Sequence, residues 1–158
     1  AACDQAYDDL ALEALRFMSE AFGPQAVEAF AQERARRLAE AGVEVILTPS
    51  CTDTVAGFNR VRIGAMARAL ESQCVVVHSP TVGSCDWNPA IDENRGRAAI
   101  YAPSDGLWPE TGILAEGEMD KPGWVKARVD LDRVRESRQD GRVLPFAHWP
   151  ESAASGVI

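Results

Sequence analysis

Two short runs carry the side chains best suited to chemistry. In Thr48-Pro49-Ser50-Cys51 a hydroxyl and a thiol follow an apolar stretch, and in Cys74-Val75-Val76-Val77-His78 an imidazole closes another. The thiolate is the reactive form of cysteine, and residues at strand ends often line pockets, so Cys51 could act as a nucleophile; its other reading is a thiol of a loop or pocket wall. His78 could orient a substrate or act as a base, and parallel strands would bring it near Ser50. The sequence places no third member beside them, so His78 reads as a partly buried wall residue. The expected site is therefore a substrate-binding wall of Ser50, Cys51 and His78, with no catalytic residue assigned.

Metal and cofactor chemistry find little to build on. Cys74, His78 and Cys85 lack a fourth ligand and tight paired spacing, so no metal site is expected. Cys3, Cys51, Cys74 and Cys85 are irregularly spaced, which suits reduced thiols better than a disulfide framework. No glycine loop of the phosphate-binding kind is present, and no cofactor is expected. Asp92-Glu93-Asn94-Arg95-Gly96-Arg97 reads as a solvated charged loop before a strand. Trp87, Trp108, Trp124 and Trp149 fall in turns and in the tail, where aromatic area serves packing or a subunit interface.

The elements that must hold these residues follow from periodicity. Tyr7, Leu10, Ala14, Phe17, Met18 and Ala21 recur at helical spacing, Gly23-Pro24 breaks the run, and a second helix continues to a Gly42 cap. Val43 to Leu47 is a buried strand emptying into Thr48-Pro49-Ser50; Asn59 to Gln73 is a helix; Cys74 to Val77 is a second buried strand. Strand, helix and strand at this spacing form a parallel crossover. Arg97 to Ala102, Thr111 to Ala115 and Trp124 to Asp130 read as strands of an antiparallel meander, Leu131 to Arg138 as a short helix, and the remainder as an extended tail. The expected organisation is a helical lead over 1–42, an α/β domain over 43–151 and a tail over 152–158.

Composition sets the bounds. A chain of 158 residues, 46% hydrophobic, can bury one core. A formal charge of −8 disfavours nucleic acid as a partner, because phosphate binding needs clustered Lys and Arg. No apolar run approaches the roughly 20 residues of a membrane helix, and no basic flank precedes an apolar stretch at the N-terminus. A cytoplasmic protein is expected.

Five words in order carry a family resemblance: Ala35 to Ser50 through Leu38-Ala39-Glu40-Ala41-Gly42 and Val45-Ile46-Leu47-Thr48-Pro49; Ala67-Arg68-Ala69-Leu70-Glu71-Ser72-Gln73 with Cys74 to Val77; Thr81-Val82-Gly83; Gly96 to Gly106 with Pro103-Ser104-Asp105-Gly106; and Val129-Asp130-Leu131-Asp132. Over residues 35–151 the chain resembles the C-terminal half of carbon–nitrogen hydrolases of the nitrilase superfamily. The resemblance implies an α-β-β-α sandwich that usually dimerises, acting in the parent on a small amide or nitrile through a Cys thioester, with a Glu base and a Lys. Counting back by the family's spacing puts the nucleophile near Ala26, where there is no Cys. Lys121 and Lys126, the only lysines, follow most of the matched segment, and the Glu position falls before Ala1. The resemblance therefore implies an incomplete, inactive hydrolase. Residues 4–38 resemble the helical segment of ArsR-like transcriptional regulators, which would make the chain a chimera or a non-enzymatic oligomerising remnant.

Overall fold

The computed structural model describes residues 34–88 and 91–154, and the chain divides into two units, Ala1–Ala41 and Gly42–Ile158. The helix expected over Tyr7 to Phe22, and the second one up to residue 33, lie outside the described residues. Residues 34–40 are helical (α1). The remaining elements all belong to the second unit.

Strands β1 (Val45–Ser50) and β2 (Val75–Pro80) pair in parallel, Val45 opposite Val75 and Ser50 opposite Pro80, and helix α2 (Val55–Glu71) connects them. Runs as β-branched as Val75-Val76-Val77 favour a pleated, buried surface, and parallel neighbours need a crossover of about this length. β1 does not stop at Leu47 as expected but runs on through Thr48-Pro49-Ser50. Glu44 O accepts from Val75 N (3.0 Å) and Ser50 O from Thr81 N (2.8 Å), so the even-numbered residues turn their backbone to β2. Pro49 turns its backbone to the outer edge of the sheet, where a missing N–H breaks no ladder bond.

Helix α2 begins at Val55, four residues before the expected start at Asn59, because Thr54 caps it: Thr54 Oγ1 accepts from Gly57 N at 3.0 Å. Its Ala65 and Ala69 pack with Cys74, Val76, Ala99 and Tyr101, and Ile46, Met66 and Ile113 close this core. Strands β3 (Gly83–Ser84) and β4 (Glu93–Asn94) form a small separate hairpin. β5 (Ala99–Tyr101) and β6 (Ile113–Glu116) complete a four-stranded mixed sheet in the order β1-β2-β5-β6, antiparallel from β2 onward, as the expected meander requires.

Three further expectations are corrected. Trp124 to Asp130 is not a strand; Val125 and Val129 rest against the second face of the sheet with Val75, Ile100, Trp108 and Val134, but the segment joins no ladder, and Trp124 is 93% exposed. The C-terminal region is not an extended tail. After α3 (Leu131–Asp140), α4 (Pro145–Ala154) starts on Pro145, which suits a first helical turn, and its Phe146 N donates to Gln73 Oε1 at 3.3 Å. The charged run from Asp92 to Arg97 is not a fully solvated loop, since it contains β4 and buries Asn94 and Gly96.

Candidate functional site

Parallel pairing of β1 with β2 decides which side chains meet. Thr48 lies opposite His78, and Ser50, two residues on, points to the same face. Ser50 Oγ and His78 Nε2 are 2.9 Å apart, so the structure joins the two residues as expected. His78 is not partly buried but 1% exposed: its ring lies parallel to Phe58 of α2, with centroids 5.6 Å apart, and 6.3 Å from the Tyr101 ring. Burial, and then the positive charge of Arg62, hold the His78 pKa below its ordinary value of 6.5. The imidazole is therefore neutral at pH 7.

A neutral imidazole carries one proton, and the surroundings choose where. His78 Nδ1 is buried without a hydrogen-bond partner. A proton there would leave an unpaired donor, whereas a proton on Nε2 donates to Ser50 Oγ and leaves only an unpaired acceptor, so the Nε2–H tautomer is assigned. In that tautomer His78 fixes the Ser50 hydroxyl rather than removing its proton. Among the described residues none orients His78 from behind through Nδ1, which is the role a third group plays in a nucleophile–base arrangement.

Cys51 is exposed just past the end of β1 and looks elsewhere: its Sγ donates to Asn94 Oδ1 at 3.0 Å. Cys74 is buried, and desolvation pushes its pKa up to about 11 against the opposing pull of Arg138, which makes it an inert core thiol. Among the described residues no group of three or more His, Cys, Asp or Glu is placed to hold a metal ion. A cleft of about 280 Å³ lies along β2 and β5, lined by residues that include Val77, His78, Ser79, Ile100, Trp124 and Val125; Ser50 and Cys51 are not in its wall.

Sequence reasoning passed over Asn94 and Arg95, which hold the ends of the strands together. Arg95 N donates to Thr52 O at 2.8 Å, and Thr52 Oγ1 returns a bond to Arg95 O at 3.1 Å. The Arg95 guanidinium pairs with Asp120, whose Oδ1 also accepts from Gly96 N at 3.0 Å. That pairing raises the Arg95 pKa, and its hydrogen bond to Arg95 lowers that of Asp120. The signal was a charged run, and only the third dimension separates a brace from a solvated loop.

The parallel β-α-β unit running into an antiparallel finish has counterparts among solved structures of the nitrilase superfamily. Over about 70% of its length this chain is a relative of the carbon–nitrogen hydrolases of the nitrilase superfamily. It is 38% identical over 111 residues to a probable hydrolase, YhcX, of Bacillus subtilis (strain 168), a match that takes in 70% of this chain and 22% of that protein. It is 31% identical over 112 residues to the deaminated glutathione amidase of Homo sapiens, covering 70% of this chain and 30% of the human one. In structure it is similar to a Saccharomyces cerevisiae member of branch 10 of the nitrilase superfamily, with TM-score 0.54 and 21% identity over 68% of this chain and 36% of that one. The C. elegans NitFhit protein gives TM-score 0.54 and 20% identity over 75% of this chain and 24% of that one. No family model matches the chain. It thus spans between 22% and 36% of the length of these relatives.

Proposed function

We propose that these residues form part of the C-terminal half of a hydrolase of non-peptide carbon–nitrogen bonds, with Ser50 and Cys51 on the wall of a pocket for a small amide or nitrile, apart from the cleft along β2 and β5, and buried His78 holding Ser50 from behind. The observation that carries this reading is the Ser50–His78 pair at 2.9 Å at the end of a parallel β-α-β unit, in a chain whose relatives include amidases. The wall positions substrate and supplies no attacking group. On this reading the 158 residues alone do not turn substrate over, since the thioester cysteine, the lysine and the glutamate of the family are not at the matched positions. A panel of small amides and nitriles, with ammonia release as the readout, tests this. The expected outcome is no release above background; release that Cys51→Ala abolishes would overturn the reading and make Cys51 the nucleophile.

The cellular setting belongs to the same proposal. No helix among the described residues is long and apolar enough to cross a membrane, and a cytoplasmic, self-associating protein is the reading we carry forward. A second reading, a non-enzymatic oligomerising remnant, is favoured by the open edge of β1, where Leu47 is 73% exposed. The regulator-like reading of residues 4–38 stands as a proposal, and residues 4–33 lie outside the described residues. Light scattering tests the self-association that both readings expect, and a monomer counts most heavily against an oligomerising remnant.

A further inference from the structure

Asn94 is 5% exposed, and every hydrogen-bonding position of its side-chain amide is used. Oδ1 accepts from Cys51 Sγ at 3.0 Å and from Thr81 Oγ1 at 2.7 Å, while Nδ2 donates to Gly83 O at 3.2 Å and to Ile91 O at 2.8 Å. The two carbonyls can only accept, so they fix which end of the amide is nitrogen and leave the oxygen for the thiol and the hydroxyl. Four partners on three segments meet at one buried side chain: the turn after β1, the turn after β2 with the start of the hairpin, and the loop before β4.

The neighbouring residues reinforce the same junction. Arg95 ties its backbone to Thr52 on both sides. Gly96 lies against the end of β2 so closely that an added Cβ would sit 2.7 Å from Pro80 Cβ. The ends of both parallel strands are therefore held against one hairpin, and the amide of Asn94 is the link that reaches Cys51.

We infer that Asn94 is a positioning residue for the pocket rim, fixing Cys51 and the turn after β1 against the hairpin. The inference rests on the reading of this rim as the substrate wall. Without the amide, Cys51 Sγ loses its acceptor and samples other rotamers, while the core under α2 keeps its packing.

Iodoacetamide alkylation of the 158-residue chain, resolved by site with mass spectrometry, tests this, with buried Cys74 reporting on the fold. Asn94→Ala is expected to speed alkylation of Cys51 by about fivefold and to leave Cys74 as protected as in the wild type. Thr81→Val, which leaves Asn94 in place and so keeps the proposal testable if the alanine variant does not fold, is expected to stay within about twofold of the wild-type rate at Cys51. An unchanged Cys51 rate in Asn94→Ala, equal acceleration of Cys51 and Cys74, or a fivefold rise in Thr81→Val would each overturn the inference. Alkylation does not depend on hydrolysis, so turnover of an amide by the chain would refute the wall reading without moving these rates.

Discussion

At the scale of single residues, His78 shows how burial assigns a role. Its folded pKa lies below 6.5 through desolvation and the nearby Arg62 charge, while in the unfolded chain it titrates near the ordinary value. The unfolded state therefore binds more protons as pH falls below about 6.5, and stability drops with it. The His78 contribution is fully present above that pH and is lost toward the depressed folded value. Urea midpoints measured at pH 7.5 and 5.5 are expected to fall for the wild type and to fall less for His78→Gln. A second residue-scale prediction concerns Gly96: because Pro80 leaves no room for a Cβ, Gly96→Ala should cost about 1–3 kcal/mol in urea unfolding. The Ser50–His78 meeting was legible because parallel pairing fixes which residues share a face. The Asn94 brace was not, because an Asn within a charged run carries no periodic signal.

At the scale of elements, the end of α2 depends on a residue from another helix. Arg138 of α3 donates through Nη2 to Val43 O at 2.7 Å and to Ser72 O at 3.1 Å, and through Nε to Ser72 O and Gln73 O at 3.2 Å each. Its guanidinium also lies 4.4 Å from the ring centroid of Phe146 in α4. One planar fork thus caps α2, holds the start of β1 and anchors α4. Arg138→Ala should lower unfolding stability by about 2–3 kcal/mol in denaturant titration, and Arg138→Lys should recover little of it, since an ammonium cannot span those carbonyls. The same contacts explain what the sequence concealed. The expected tail is instead α4, which begins at Pro145 and holds Pro150 within it, and whose first turn is anchored where Phe146 N donates to Oε1 of Gln73, itself at φ 43°. Conversely, Val125, Ala127 and Val129 alternate like a strand but find no neighbouring ladder, and only Val125 and Val129 are even half-buried.

At the scale of the whole molecule, the second unit is a sheet with one covered face, a partly covered second face and two edges, β1 and β6, that pair with no further strand among the described residues. The backbones of Val45 and Leu47 point outward from β1, and Leu47 is 73% exposed. Unpaired apolar edges promote pairing between chains, and a charged residue blunts them. If the chain self-associates there, Leu47→Lys should shift its mass in light scattering toward the monomer while its circular dichroism stays unchanged. The layered α/β order was legible because strand, helix and strand each have a distinct period; what covers β1 was not, because an edge takes its meaning from neighbours.

On the proposed function, Ser50 and Cys51 wall a pocket, His78 holds Ser50 in place, and none of the three attacks the substrate. Intact-mass spectrometry of the 158-residue chain after incubation with small amides and nitriles tests it most directly, because a thioester adds the acyl mass to the chain and hydroxylamine removes it. An unchanged mass is expected. An acyl adduct on Cys51 that grows with substrate concentration and disappears with hydroxylamine would contradict it.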